Sequence, residues 1–157
     1  PELGGSEYFA LHGFVGNQVP RVDAAKARRM YEALSGAMGK GLVASCHDCS
    51  DGGLGVALAE VAFAGGLGME VDLRRVPARG IERNDFLLFS ESQSRFVVTV
   101  HPENQKSFED ALEGNSFAPV GRVSAEKDFT LIGLGGKVVV RAGIDELKES
   151  WKKPLLW

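Results

Sequence analysis

Cysteine is scarce in this sequence: two thiols among 157 residues, Cys46 and Cys49. They stand too close in sequence to staple a fold, which excludes a disulfide-built scaffold and points to a reducing, cytoplasmic setting. Long apolar runs are also missing. No stretch approaches the roughly 20 residues that a membrane span needs, and no charged-then-apolar leader is present, so no membrane association is expected. Basic residues do not outnumber acidic ones: Lys plus Arg number 18 against 21 Asp plus Glu, a net charge of −3. With no basic surplus and no concentrated Lys/Arg run, nucleic-acid binding is not expected either. An initiator methionine is missing too, since the chain opens Pro1-Glu2-Leu3. That opening suits a processed chain or a piece excised from a longer protein.

What is present describes a globular chain: 44% hydrophobic residues, 25% charged residues and 20 glycines. The length suits a single domain over 1–157, with 1–22 as a lead-in helix and loop. Ser6 is placed to cap a short helix in which Tyr8, Phe9 and Leu11 supply apolar cover. Asp23 caps a clearer one, where Ala27, Met30, Tyr31, Leu34, Ala37 and Met38 follow helical spacing until Gly39 and Gly41. Leu54, Ala57, Leu58, Val61 and Ala62 form a second stripe, stopped by Gly65-Gly66. Met69, Val71 and Leu73 alternate with Glu70 and Asp72 as a half-buried strand does. Arg95–His101 is a further strand, with Phe96, Val98 and Val100 on one face and Val97 and Thr99 on the other. Pro102 suits a first helical position, and Phe108, Ala111 and Leu112 give that helix its stripe. Strand-like runs at 120–123, 129–132 and 137–140 follow, the last two joined through Gly133-Leu134-Gly135-Gly136 as a hairpin. A short helix (Ile144, Leu147, Trp151) and an apolar tail, Pro154-Leu155-Leu156-Trp157, close the sequence; such a tail should dock on this domain or a neighbour. Helices and strands mix without strict βαβ alternation. The expected fold is α+β: two layers, a mixed and largely antiparallel sheet packed by helices.

The densest polar cluster is Cys46-His47-Asp48-Cys49-Ser50-Asp51-Gly52-Gly53, entered from the β-compatible run Leu42–Ser45 and left by a helix. Ser50 and Asp51 are residues that cap free helix N–H groups, and Gly52 and Gly53 leave a first turn bare enough for a ligand. Asp48 and Asp51 suit an Mg²⁺ carboxylate, an anion-orienting turn, or only a well-capped helix. The C-x-x-C pair with its histidine is one ligand short of a structural zinc site, and His12 and His101 are far away in sequence. Phosphate-loop readings fail: Val138 follows Lys137 where Ser or Thr would be needed. Ser90-Glu91-Ser92-Gln93-Ser94-Arg95 is a second polar cluster, readable as a strand-entry loop in which Glu91 and Arg95 pair.

In order, several stretches of this chain resemble one known family: Leu3-Gly4-Gly5-Ser6-Glu7-Tyr8, His47-Asp48-x-Ser50-Asp51-Gly52-Gly53-Leu54, Ala57-Leu58-Ala59-Glu60, Gly65-Gly66-Leu67-Gly68-x-Glu70-Val71-Asp72-Leu73, and Phe89-Ser90-Glu91-Ser92-Gln93-Ser94-Arg95-Phe96. Gly121-Arg122-Val123 and Asp145–Trp151 fit as well. The family is the C-terminal domain of phosphoribosylformylglycinamidine synthase, within the aminoimidazole ribonucleotide synthetase-like superfamily. The resemblance implies a purine-biosynthetic ligase that uses ATP, Mg²⁺ and glutamine-derived ammonia to convert formylglycinamide ribonucleotide to its amidine. It implies partners: the remaining domains of the same synthetase, a glutaminase subunit or domain, and a small accessory subunit. It also implies that this domain belongs to the second half of a duplicated synthetase, whose cleft holds a nucleotide structurally. His47, Asp48, Ser50, Asp51, Gly52, Gly53, Glu91, Ser92 and Gln93 would then face a pseudo-site, Asp48 being the metal candidate. No catalytic residue, no bound cofactor and no activity are expected in the isolated domain. The alternative is a noncatalytic packing or interaction domain of a related ATP-dependent synthetase, of the aminoimidazole ribonucleotide or selenophosphate type.

Overall fold

A computed structural model describes residues 2–155, and the backbone follows the hydrophobic patterns closely. The helices are α1 (Glu7–Leu11), α2 (Ala24–Gly39), α3 (Gly53–Gly65), α4 (Asn84–Phe89), α5 (Gln105–Ala111) and α6 (Ile144–Lys152). The strands are β1 (Ser45–Asp48), β2 (Gly68–Asp72), β3 (Phe96–Thr99), β4 (Gly121–Ser124), β5 (Asp128–Ile132) and β6 (Val138–Gly143). Single 3₁₀ turns lie at Leu73–Arg75, Pro102–Asn104 and Lys153–Leu155. Among the described residues no helix is long and apolar enough to cross a membrane.

The strands form two sheets rather than one. β1 and β3 make an antiparallel pair, while the other four are ordered β4-β2-β5-β6. Within the larger sheet only β2 and β5 run parallel, so the mixed, largely antiparallel character expected from the sequence holds. The split has a physical cause in β3. Its two faces serve different cores: Val97 packs with the larger cluster, and Phe96 and Val98 with the smaller. A strand half-buried on both faces stands between two layers.

The larger core gathers Leu54, Ala57, Leu58 and Ala62 from α3, Met69 and Val71 from β2, Leu87 and Leu88 from α4, Phe129 and Leu131 from β5, and Ile144 from α6. The smaller joins Leu34 and Ala37 of α2 to Phe108 of α5 and to Leu112. The helix ends follow the capping residues read from the sequence: Ser6 accepts the Phe9 N–H at 3.2 Å and Asp23 that of Lys26 at 3.1 Å. Gly66 ends α3 in the left-handed conformation (φ 67°), and Leu42 N–H returns to the Ala37 carbonyl at 3.1 Å behind α2. The 133–136 hairpin closes through Gly133 and Lys137.

Two further expectations change. The strand before the polar cluster is Ser45–Asp48, so Cys46, His47 and Asp48 are themselves strand residues. Leu11 is 82% exposed, so it supplies little apolar cover among the described residues. Instead Tyr8 ties α1 down, stacking on Phe89 with ring centroids 4.9 Å apart and donating its hydroxyl to Asp85 at 2.8 Å. The Arg83 guanidinium beside Asp85 holds that carboxyl at a pKa of about 2. Leu156 and Trp157, which carry the tail expectation, lie outside the described residues.

Leu58 is 2% exposed at the centre of the larger core. Leu58→Ala should cost about 2–5 kcal/mol in urea denaturation, from lost transfer energy plus the cavity left behind. A loss below ~1 kcal/mol would mean that α3 is not packed as described.

Candidate functional site

β1 delivers His47 and Asp48 to a tight turn. Cys49 N–H bonds the Arg95 carbonyl at 2.9 Å, and Gly53 N–H returns to the Ser50 carbonyl at 3.0 Å. Gly52 (φ 74°) and Gly53 (φ 65°) both take the left-handed conformation, which makes two adjacent glycines the natural solution. A Cβ on Gly53 would meet the Leu88 carbonyl at 2.8 Å, because α3 starts directly against the exit of α4.

The residue at the start of α3 is Gly52, and no side chain of its own caps it. This corrects the expectation for Ser50 and Asp51. Ser50 donates its hydroxyl to Asp48 instead, and Asp51 stays exposed. The cap comes from far away in sequence. Glu91 Oε1 accepts the Gly52 N–H at 2.9 Å and the Glu7 N–H at 3.0 Å. One carboxylate oxygen therefore serves the N-termini of both α3 and α1, where unpaired N–H groups favour negative charge.

Glu91 can reach there because its loop is clamped from behind. Arg95 does not pair with Glu91, as the sequence suggested. Its Nε donates to the Ser92 carbonyl at 2.9 Å, and its Nη2 donates to the Ser90 carbonyl. A guanidinium has five donors in a fixed fork, so it can grip two carbonyls of one loop. Burial pushes the Arg95 pKa down. Ser90 is buried, donating to the Glu2 carbonyl at 3.3 Å and lying 2.9 Å from the Ser92 hydroxyl. Gln93 is exposed and folds back on the Glu91 carbonyl at 3.3 Å. Thus Glu91 joins the His47–Gly53 turn, whereas Ser92 and Gln93 bond within their own loop.

On the other side of the turn, His47 Nε2 lies 2.8 Å from Glu60 Oε2, and Trp151 Nε1–H donates to Glu60 Oε1 at 2.8 Å. No role for Glu60 or Trp151 was legible in the motifs. One signal was available: Glu60 is the lone charged residue in the apolar segment 53–65. Asp48 is open to solvent, and the Ser50 hydroxyl, with its own backbone N–H, lowers its pKa. Cys46 packs toward the smaller core and Cys49 is buried in the larger. Burial raises both thiol pKa values, so neither is a prepared thiolate.

These facts decide what the residues could hold. Among the described residues, no three His, Cys, Asp or Glu side chains gather as a metal site. Asp48 fits Mg²⁺ only as one carboxylate on an ion shared with phosphates, a common mode for that metal. Beside the α3 N-terminus, a natural place for a phosphate, Glu91 already accepts the Gly52 N–H.

Residues 1–133 match the family model described as AIR synthase related protein, C-terminal domain. The chain belongs to that family. Relatives carry the same domain within far longer proteins. The phosphoribosylformylglycinamidine synthase subunit PurL of Moorella thermoacetica is 37% identical over 158 residues, covering 99% of this chain and 21% of its own length. The solved Thermotoga maritima PurL complexed with FGAR superposes with a TM-score of 0.73 at 25% identity, over 83% of this chain and 22% of that one. The T. maritima PurL complexed with ATP gives 0.69 at 27% identity, over 76% and 21%. This chain therefore spans about a fifth of the length of these relatives. The family's AIR synthase-related fold is the α+β arrangement described above.

Glu91→Ala leaves two helix N–H groups without their acceptor and should cost about 1–3 kcal/mol in chemical denaturation. Glu91→Gln keeps a carbonyl oxygen for both and loses only the charge, so its cost should be smaller, about 0.3–1 kcal/mol. Equal costs for the two variants would contradict the bridging geometry.

Proposed function

We propose that this chain is a C-terminal domain of phosphoribosylformylglycinamidine synthase, placed in the second half of the duplicated synthetase. The whole enzyme is an ATP-dependent ligase of purine biosynthesis. It converts formylglycinamide ribonucleotide to the amidine through an O-phosphorylated imidate, with ammonia released from glutamine by a glutaminase partner. ATP and Mg²⁺ belong to the whole enzyme, and a small accessory subunit completes some versions of it. In this reading the enzyme works in the cytoplasm.

The domain's own role is structural: its turn faces a nucleotide-holding pseudo-site and carries no catalytic group. The observation behind this reading is the internal satisfaction of the turn. Glu91 takes the Gly52 N–H at the entry to α3 and Ser50 is spent on Asp48. A working phosphate or substrate site would need those donors free. Asp48 remains as the carboxylate that would share a phosphate-bound Mg²⁺, an ion that would neutralise phosphate charge there. His47, Asp51, Gly52 and Gly53 shape the same face, and Glu91 holds it closed; Ser92 and Gln93 border it.

The alternative, a noncatalytic packing module of a related synthetase, draws on the exposed apolar residues Leu11, Phe14, Val15, Val19 and Val22. The intact synthetase separates the two. Asp48→Ala should lower the nucleotide retained through purification several-fold while leaving turnover near wild type. Unchanged retention would favour the packing module, and abolished turnover in a folded enzyme would show that the turn is catalytic.

A further inference from the structure

Glu60 stands where three elements meet: its own α3, β1 through His47, and α6 through Trp151. Its two oxygens have different partners, Oε1 taking the Trp151 indole N–H at 2.8 Å and Oε2 lying 2.8 Å from His47 Nε2. An ionised carboxylate can only accept, so the imidazole nitrogen that faces it must carry a proton. An indole N–H can only donate, so Trp151 fixes which oxygen is left for the histidine. The Trp151 ring is held in turn by Phe63, with centroids 5.8 Å apart. The other ring nitrogen, Nδ1, lies 3.6 Å from Asp48 Oδ1, beyond hydrogen-bond distance. It is the edge that faces the turn.

We propose that Glu60 and Trp151 are positioning residues that hold His47 with its proton on Nε2 and turn Nδ1 toward the Asp48–Ser50 turn. α6 thereby selects the hydrogen-bonding edge that the candidate site presents. A lone pair beside a carboxylate is complementary to a hydrogen-bond donor and not to a bare anion. That consequence rests on the turn facing a ligand. The placement of the proton does not, and it can fail while the functional reading stands.

The test is ¹⁵N NMR of the full 157-residue chain with labelled histidine. Three histidines make the spectrum small, and His47→Asn assigns the ring. Across a pH series, the neutral form of the wild-type ring should show a protonated Nε2, facing Glu60, and a bare Nδ1. Glu60→Gln should invert this. Trp151 claims the amide oxygen, the amide NH₂ then faces Nε2, and the ring proton moves to Nδ1. In Glu60→Gln with Trp151→Phe the amide is free to turn over, so the inversion should be partly or wholly undone. A neutral wild-type ring protonated on Nδ1 would overturn the proposal without any variant. An unchanged tautomer in Glu60→Gln would remove Glu60 from the role, and full inversion persisting in the double variant would remove Trp151.

Discussion

A single carboxylate oxygen ties together the candidate site of this domain. Glu91 Oε1 receives the N–H of Glu7, the first residue of α1, and that of Gly52, the residue just before α3. A hydrogen bond to a charged group is worth about 1.5–3 kcal/mol, less where water reaches it. More important is what depends on the contact. The lead-in segment, the glycine turn and the loop after α4 are each irregular backbone, and Glu91 is the point where all three meet. Arg95 grips the carbonyls behind it and so decides where that carboxylate can reach.

The same region explains why the domain has two apolar cores and stays one unit. β1 and β3 form the wall between them, with Cys46 packing on one side and Cys49 buried on the other. The thiol pair that invites a metal reading is thus parted between the two cores, Cys46 on β1 and Cys49 just past its end. Cysteine here behaves as a small apolar residue. The titratable groups of the turn are left on the remaining edge, where His47 meets Glu60 and Asp48 meets solvent.

Much of this was legible in the sequence, and the exceptions share a cause. Periodicity located the stripe on α3, the alternation on β2 and the two-faced β3, because each depends on neighbours a few residues apart. Local chemistry gave the Ser6 and Asp23 caps, the Gly66 stop and the 133–136 hairpin for the same reason. The misreadings came where a residue had two possible partners. Ser50 and Asp51 look like caps, but α3 takes its acceptor from Glu91, 39 residues away from Gly52. Glu91 and Arg95 look like an ion pair, yet both are claimed by backbone groups. Trp151 and Glu60 are 91 positions apart, a pairing no local pattern encodes. The division into two sheets was hidden likewise, since alternation shows that a strand is buried and not which strand lies beside it.

In this member of the AIR synthase related family, Glu91 takes the Gly52 N–H of the turn and Asp48 takes the Ser50 hydroxyl. The most direct measurement is amide hydrogen exchange at Gly52 and Glu7, in the wild-type chain and in Glu91→Ala. The expected result is slow exchange at both amides in wild type and a joint acceleration of roughly tenfold or more in the variant. Fast exchange in wild type, or protection that survives loss of the carboxylate, would contradict the bridging role of Glu91.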